Sequence, residues 1–173
     1  MANTRKKAAI KKTAPTVVRK TAKTAPAARA KRQSTSEYTV NTGVEITATF
    51  TDTIGLTAKV AAAVAAENVN ILAATGYSAS SQRRNATFTL VVDDFSRAER
   101  ALEKIGAEEI QESSVLLVET PNKVGALERV AKLIADAGIN IYYFYATTSS
   151  GATATSVIKT ADDAKAIKIL QKA

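Results

Sequence analysis

The sequence predicts an α+β fold in which antiparallel sheets carry helices and one structural unit occurs twice. A pattern of glycines, apolar residues and turn residues recurs along the chain, so that Gly55 corresponds to Gly125 and Asn70 to Asn140. Segments with alternating apolar and polar residues are typical of half-buried strands, and apolar residues three or four positions apart are typical of amphipathic helices. Repetition at this length indicates two copies of a module rather than a solenoid.

The first copy has the predicted order β-α-β-β-α-β. Its first strand shows strict alternation, and its first helix has an apolar stripe at Leu56, Val60, Ala63 and Val64. The predicted elements are a strand at 44–50, a helix from Leu56 to near Asn68, strands at 69–78 and 86–92, a helix from Ser96 to Gly106, and a short strand at 107–111. This order is the split βαβ unit of the ferredoxin-like sandwich.

The second copy repeats this order without a counterpart of the final short strand. Its predicted elements are a strand at 115–119, a helix at 126–137 ended by Gly138, strands at 139–147 and 152–159, and a helix at 162–172. We therefore expect the second sheet to lack its last strand or to take it from elsewhere. Because 107–119 contains almost no turn signal, we expect one strand there that feeds two sheets.

A cationic segment precedes the two copies. Residues 1–37 carry Glu37 as their one acid, and they lack Leu, Phe, Tyr and Trp. Burial cannot offset the entropy of ordering such a chain, so we expect a disordered basic tail. Its eleven basic residues are Arg5, Lys6, Lys7, Lys11, Lys12, Arg19, Lys20, Lys23, Arg29, Lys31 and Arg32. Three interpretations stay open: an arm that neutralises nucleic-acid phosphates, a transit peptide, and a solubilising tail.

Composition excludes several classes of function. The chain has no His, Cys or Trp, which excludes a disulfide framework, a Cys/His zinc site and a His- or Cys-based nucleophile. Walker and dinucleotide phosphate loops are also missing from the sequence. The longest apolar stretch, 60–66, is too short to span a bilayer. We therefore expect a cytoplasmic protein that is not an enzyme, with no catalytic residue, cofactor, metal or membrane partner.

The stretch 118–146 resembles an ACT domain, a small ligand-binding module of amino-acid metabolism. The resemblance lies in Asn122-Lys123-Val124-Gly125 before an amphipathic helix, followed by Gly138-Ile139-Asn140-Ile141. The first copy is similar at 50–60 and 68–71, although Asn68 stands where the second copy has Gly138. The resemblance implies a tandem ACT protein without a fused catalytic domain, with a tail at 1–37 and modules at 38–112 and 113–173.

The resemblance also implies an amino-acid ligand, bound between the loop of one module and the early second strand of a neighbour. A glycine permits close approach to the backbone, and unpaired amides at a helix start favour an anion such as a carboxylate. The residues implied are Asp52, Thr53, Ile54, Gly55 and Leu56 near Asn140 and Ile141, and Asn122, Lys123, Val124, Gly125 and Ala126 near Asn70 and Ile71. A purely structural role stays open, because tight turns need glycine and asparagine often satisfies backbone groups.

Two functions from different classes follow. The first is a regulatory, allosteric protein that binds a small amino acid and forms a homo-oligomer through open sheet edges. The alternative is a nucleic-acid-associated protein that uses the tail, with the ACT pair as an oligomerisation scaffold. Alternation in the aromatic run predicts Tyr143 and Tyr145 on one sheet face with Ile141, and Tyr142 and Phe144 on the other.

Overall fold

A computed structural model describes residues 37–78, 85–148 and 151–173. Residues 1–36 of the predicted tail at 1–37 lie outside this range, as do residues 79–84 and 149–150. The elements are β1 (Thr39–Thr51), α1 (Leu56–Ala66), β2 (Ile71–Ser78), β3 (Asn85–Val92), α2 (Phe95–Lys104), β4 (Glu109–Pro121), α3 (Ala126–Asp136), β5 (Ile141–Thr148), β6 (Thr153–Thr160) and α4 (Asp163–Leu170). The predicted α+β class with antiparallel strands is confirmed.

One six-stranded sheet replaces the two sheets that the sequence suggested. Its order is β2-β3-β1-β4-β6-β5, and all neighbouring strands are antiparallel. The strands predicted at 107–111 and 115–119 form the single strand β4, because no turn residue interrupts them. Strands β1 and β4 are each 13 residues long and pair along most of their length, so both halves of the chain share one sheet.

The first part of β1 occupies the place of the missing strand in the second half. Val40 lies opposite Val118, and the pairing continues to Gly43 opposite Val115. Val44 pairs with Ser114, its counterpart in the repeat. The two halves are therefore arranged symmetrically on either side of this residue pair. The sequence prediction began β1 at residue 44 because the polar residues and the glycine before it do not alternate clearly.

The helices pack on one face of the sheet in two cores. The core of the first half joins Ile46, Ala48 and Phe50 of β1 to α1 and α2. The core of the second half joins Tyr38 and Val40 to β4, β6, α3 and α4. Alternation along β1 puts all five of these side chains on the same face. A smaller cluster of Val91, Val115 and Val157 lies on the opposite face of the sheet, which carries no helix among the described residues and is here called the helix-free face.

Aspartate side chains cap the starts of α2 and α4. The Asp94 carboxylate accepts a hydrogen bond from the Arg97 amide at 3.0 Å, and Asp162 accepts one from the Lys165 amide at 2.9 Å. Each aspartate therefore caps its helix by satisfying an amide that has no partner within the helix. This accounts for the acidic residues at both strand-to-helix turns.

Because β1 contributes to both cores, two of its valines should differ in their contribution to the free energy of unfolding. Val40 is buried in the core of the second half, whereas Val44 on the same strand is 37% exposed. We expect Val40→Ala to lower the free energy of unfolding by roughly 2 kcal/mol through lost burial and a cavity. Val44→Ala, the matched control, should cost less than about 1 kcal/mol. Urea denaturation followed by circular dichroism measures both, and equal losses would contradict the assignment of 39–43 to the second core.

Candidate ligand-binding grooves

The starts of α1 and α3 differ from those of the other two helices. Their N-cap residues, Gly55 and Gly125, have φ of 83° and 81° in the left-handed region, and neither can offer a side-chain acceptor. A Cβ at either position would meet nothing within 4 Å, so the backbone conformation, and not crowding, requires glycine. The first amide of each helix donates to a loop carbonyl at 3.2 Å, and the amides that follow have no N-cap side chain as acceptor. The helix dipole favours an anion beside them.

The residues before the two glycines are fully exposed. Ile54 and Val124 occupy equivalent loop positions, and their side chains contact neither core. In the first loop, the Ser78 hydroxyl donates to the Asp52 carboxylate at 2.6 Å, which ties the end of β2 to the loop. The loop before α1 is therefore fixed at its base and apolar at its tip.

The second loop is held by different contacts. The Asn122 amide donates to the Ala152 carbonyl at 2.8 Å, and its side-chain nitrogen donates to the Gly151 carbonyl at 3.1 Å. The Lys123 ammonium pairs with the Glu37 carboxylate at 2.7 Å. This partner lowers the pKa of Glu37, chiefly through the hydrogen bond from Lys123. Lys123 is thus tied to the chain segment that enters β1.

A groove of about 680 Å³, here called the first groove, lies between α1 and strands β2 and β3. Five residues that the sequence analysis selected line it, namely Asp52, Thr53, Gly55, Leu56 and Ile71. The structure therefore brings the loop, the helix start and the early part of β2 of the same half to one surface. The rest of the lining is mostly small or hydroxyl-bearing.

A groove of about 730 Å³, here called the second groove, lies at the equivalent place beside α3, β5 and β6. Of the selected residues, Ile141 lines this groove and the loop at 122–126 does not. Its lining is Leu127, Glu128, Ala131, Ile141, Tyr142, Tyr143, Phe144 and Ile158. Sequence analysis missed Leu127 and Ala131. The signal that could have found them is their apolar character at positions of α3 next to its buried residues Ala126 and Val130.

Asn70 and Asn140 make backbone contacts at the starts of β2 and β5. The Asn70 amide donates to the Asp93 carboxylate at 2.9 Å, and the Asn140 carbonyl accepts from the Ala161 amide at 2.9 Å. Strands β2 and β5 form opposite edges of the sheet. One chain therefore does not bring the first loop to Asn140, and the predicted cross-module site stays a prediction that requires a second molecule.

A β-bulge changes the predicted faces of the aromatic run. The register of β5 against β6 shifts between Ile141 and Tyr143, so Phe144 lies opposite Ile158 of the core and Tyr145 opposite Val157 of the helix-free face. The prediction that Ile141 shares a face with Tyr143 and Tyr145 was wrong, because alternation fails across a bulge. Strand β2 has the same irregularity between Ile71 and Ala73.

Glu45 is a buried acidic residue, bound by two tyrosines, that sequence analysis did not find. Its side chain is 1% exposed, and its carboxyl oxygens accept hydrogen bonds from the hydroxyls of Tyr143 and Tyr145, the latter at 3.0 Å. Burial raises the pKa of both tyrosines, and the neighbouring Glu45 raises it further. In the sequence, Glu45 is one polar residue of an alternating strand, a pattern that normally indicates exposure to solvent.

These features define an α+β fold with two equivalent grooves, and comparison with known proteins finds a family match for part of the chain. Residues 114–173 match the ACT domain family. No curated protein matches the chain. Among the described residues, no helix is both long and apolar enough to span a bilayer, and no acidic group is arranged to hold a metal ion.

Solved structures share the fold over most of the chain. A protein from Bacteroides thetaiotaomicron has a TM-score of 0.67 at 22% identity, covering 77% of this chain and 89% of that one. The regulatory subunit of aspartate kinase from Thermus thermophilus, in its ligand-free form, has a TM-score of 0.57 at 17% identity, covering 79% and 95%. Aspartokinase alpha and beta subunits have a TM-score of 0.56 at 20% identity, covering 80% and 97%. At these identities the likeness concerns the fold.

The tyrosine cluster predicts an alkaline loss of stability. Tyrosine ionises near pH 10 in an unfolded chain, and the folded chain raises the pKa of Tyr143 and Tyr145 above that value. Above about pH 10 the folded state therefore holds protons that the unfolded state releases, and the free energy of unfolding falls as pH rises. Urea denaturation at a series of alkaline pH values should show a steeper fall for the natural chain than for Tyr143→Phe. Equal slopes would contradict the assignment.

Proposed function

We propose that this chain is a non-catalytic regulatory protein that binds a small amino acid through two ACT modules. The observation that carries the proposal is the pair of equivalent helix starts: Gly55 lines the first groove, and Leu127, the second residue of α3, lines the second groove. An amino-acid carboxylate suits amides that no N-cap side chain satisfies, and the groove provides an apolar surface beside it. The match of 114–173 to the ACT domain family supports this assignment.

The first half is proposed to be the second ACT module of the pair. It has the same element order, the same left-handed glycine before its first helix and the same bulge in its edge strand. We place the modules at 38–112 and 113–173, and residues 39–43 of the first module pair with strand β4 of the second. The tail at 1–37 precedes both.

The regulatory output is proposed to act through a second copy of the chain. Strands β2 and β5 are the two edges of the sheet, and unpaired edge strands are surfaces on which another chain can add. In a homo-oligomer, the loop of one molecule and the early edge strand of another could share one ligand. The solved regulatory subunit of aspartate kinase, which has this fold, supports a regulatory role.

A second candidate function concerns nucleic acid. It is favoured by the eleven basic residues and single acid of residues 1–37. Such a segment would bind phosphates without reading sequence, and its affinity would fall steeply with salt. Deletion of residues 1–36 should then abolish binding to a DNA duplex at low salt, as measured by fluorescence anisotropy. Unchanged binding after the deletion would dismiss this candidate.

A thermal-shift panel of the twenty amino acids on the full chain tests the sensor proposal. A ligand that binds only the folded state raises the melting temperature by mass action, so one or a few amino acids should give a shift at high concentration. Gly55→Ala and Gly125→Ala should remove part or all of this shift, because an added side chain strains the backbone at each helix start. A flat panel on the folded chain would contradict the proposal.

Two other glycines provide matched controls. Gly106 and Gly138 have φ of 91° and 70°, and a Cβ there would also meet nothing within 4 Å. All four alanine variants should lose a similar stability, about 1–2 kcal/mol, because the left-handed backbone disfavours a side chain. Only Gly55→Ala and Gly125→Ala should lose the ligand response. Equal loss of response in all four variants would assign the loop glycines to the turn alone.

A further inference from the structure

The two grooves lie at equivalent places but have different linings. The first groove contains the hydroxyl-bearing residues Thr53, Thr57 and Thr75, with Asp52 at its loop end. In the second groove the walls are aliphatic and aromatic, and Glu128 is the one charged residue among the described residues of its lining. Equivalent backbone therefore presents two different chemical surfaces.

The two halves also differ in their side chains on the helix-free face. Tyr143 and Tyr145 of β5 stand where β2 has Ala73 and Thr75, since both strands bulge at the same place in the repeat. Glu45 of β1 stands where β4 has Val115. Glu45 of the first half thus meets the two tyrosines of the second half on this face.

Contact with Glu45 decides where the hydroxyl of Tyr143 lies. A buried carboxyl group requires hydrogen-bond donors, and both side-chain donors to Glu45 come from β5. Tyr143 also lines the second groove, yet its hydroxyl is bound by Glu45 at β1. That hydroxyl is consequently unavailable to a ligand in the groove, and the strand segment that carries Phe144 is held in place.

We propose that the second groove takes an amino acid with an apolar side chain and that Glu45 is a positioning residue for this selectivity. The inference rests on the proposed amino-acid-binding function. Glu128 in the lining complements a ligand ammonium group, and the first turn of α3, from which Leu127 lines the groove, complements its carboxylate. Leu127, Phe144 and Ile158 provide the surface for the apolar side chain.

Methyl NMR on the full chain tests the proposal with L-leucine and L-serine as probes. The methyl resonances of Leu127, Ile141 and Ile158 report on the second groove, and those of Leu56 and Ile71 report on the first. We expect L-leucine to perturb the second set with at least about tenfold higher affinity than L-serine, because a site of this kind gains from each buried methylene.

Variants at position 45 separate positioning from general stability. Glu45→Val installs the residue found at position 115 and removes both acceptors, so L-leucine affinity should fall about tenfold at the second groove. Glu45→Gln keeps an acceptor oxygen and should retain most of the affinity. Glu112→Gln removes an exposed acidic group from β4 and should change nothing. If Glu45→Val does not fold, Tyr143→Phe serves instead, since it removes one hydroxyl and should weaken L-leucine binding a few-fold.

A ligand-independent measurement checks the contact itself. Ultraviolet titration of the tyrosines should reach its end at lower pH in Glu45→Gln than in the natural chain, since the neighbouring carboxyl group opposes their ionisation. An unchanged titration would overturn the proposal, as would equal affinity of L-leucine and L-serine at the second groove.

Unchanged L-leucine affinity in both Glu45→Val and Tyr143→Phe would overturn the positioning role. A response confined to the first groove overturns the inference but leaves the proposed function standing, whereas no response to any amino acid overturns the function itself.

Discussion

The antiparallel pairing of β1 with β4 is the constraint on which the rest of the structure depends. Strand β1 pairs with β3 of the first half and with β4 of the second half. Strand β4 likewise pairs with β1 of the first half and with β6 of the second half. Side chains of β1 enter both cores, with Val40 in one and Ile46 in the other. With these two strands at the centre, β2 and β5 become the edges, and the two grooves lie far apart on one molecule.

Much of this fold could be predicted because its signals are local. The stripe at Leu56, Val60 and Val64 is buried as its spacing indicates, and Gly125 begins α3 where the loop pattern places it. Strand sharing was less visible, because pairing between 39–43 and 115–119 depends on residues far apart in sequence. The bulge at Tyr142 and the burial of Glu45 were hidden for the same reason: both depend on neighbours across strands.

The candidate site shows a similar division between local and distant information. Asp52, Gly55 and Leu56 line the first groove as neighbours in one loop, and Ile71 joins them through the packing of β2 on α1. At the second groove, the wall comes from α3, β5 and Ile158, and the loop before α3 does not line it, while Lys123 of that loop pairs with Glu37. Equivalent sequence patterns therefore led to unequal surfaces, because side chains outside the pattern differ.

The borrowed strand segment also affects how the chain can be divided. Residues 114–173 are the part that matches the ACT domain family, but their strands are completed in the sheet by residues 39–43. An excised fragment beginning at 114 would expose the hydrogen-bonding edge of β4 and the apolar surface that Val40 and Tyr38 cover. Such a fragment would be prone to pair with other chains. The segment that matches the family is therefore shorter than the segment that completes its own sheet.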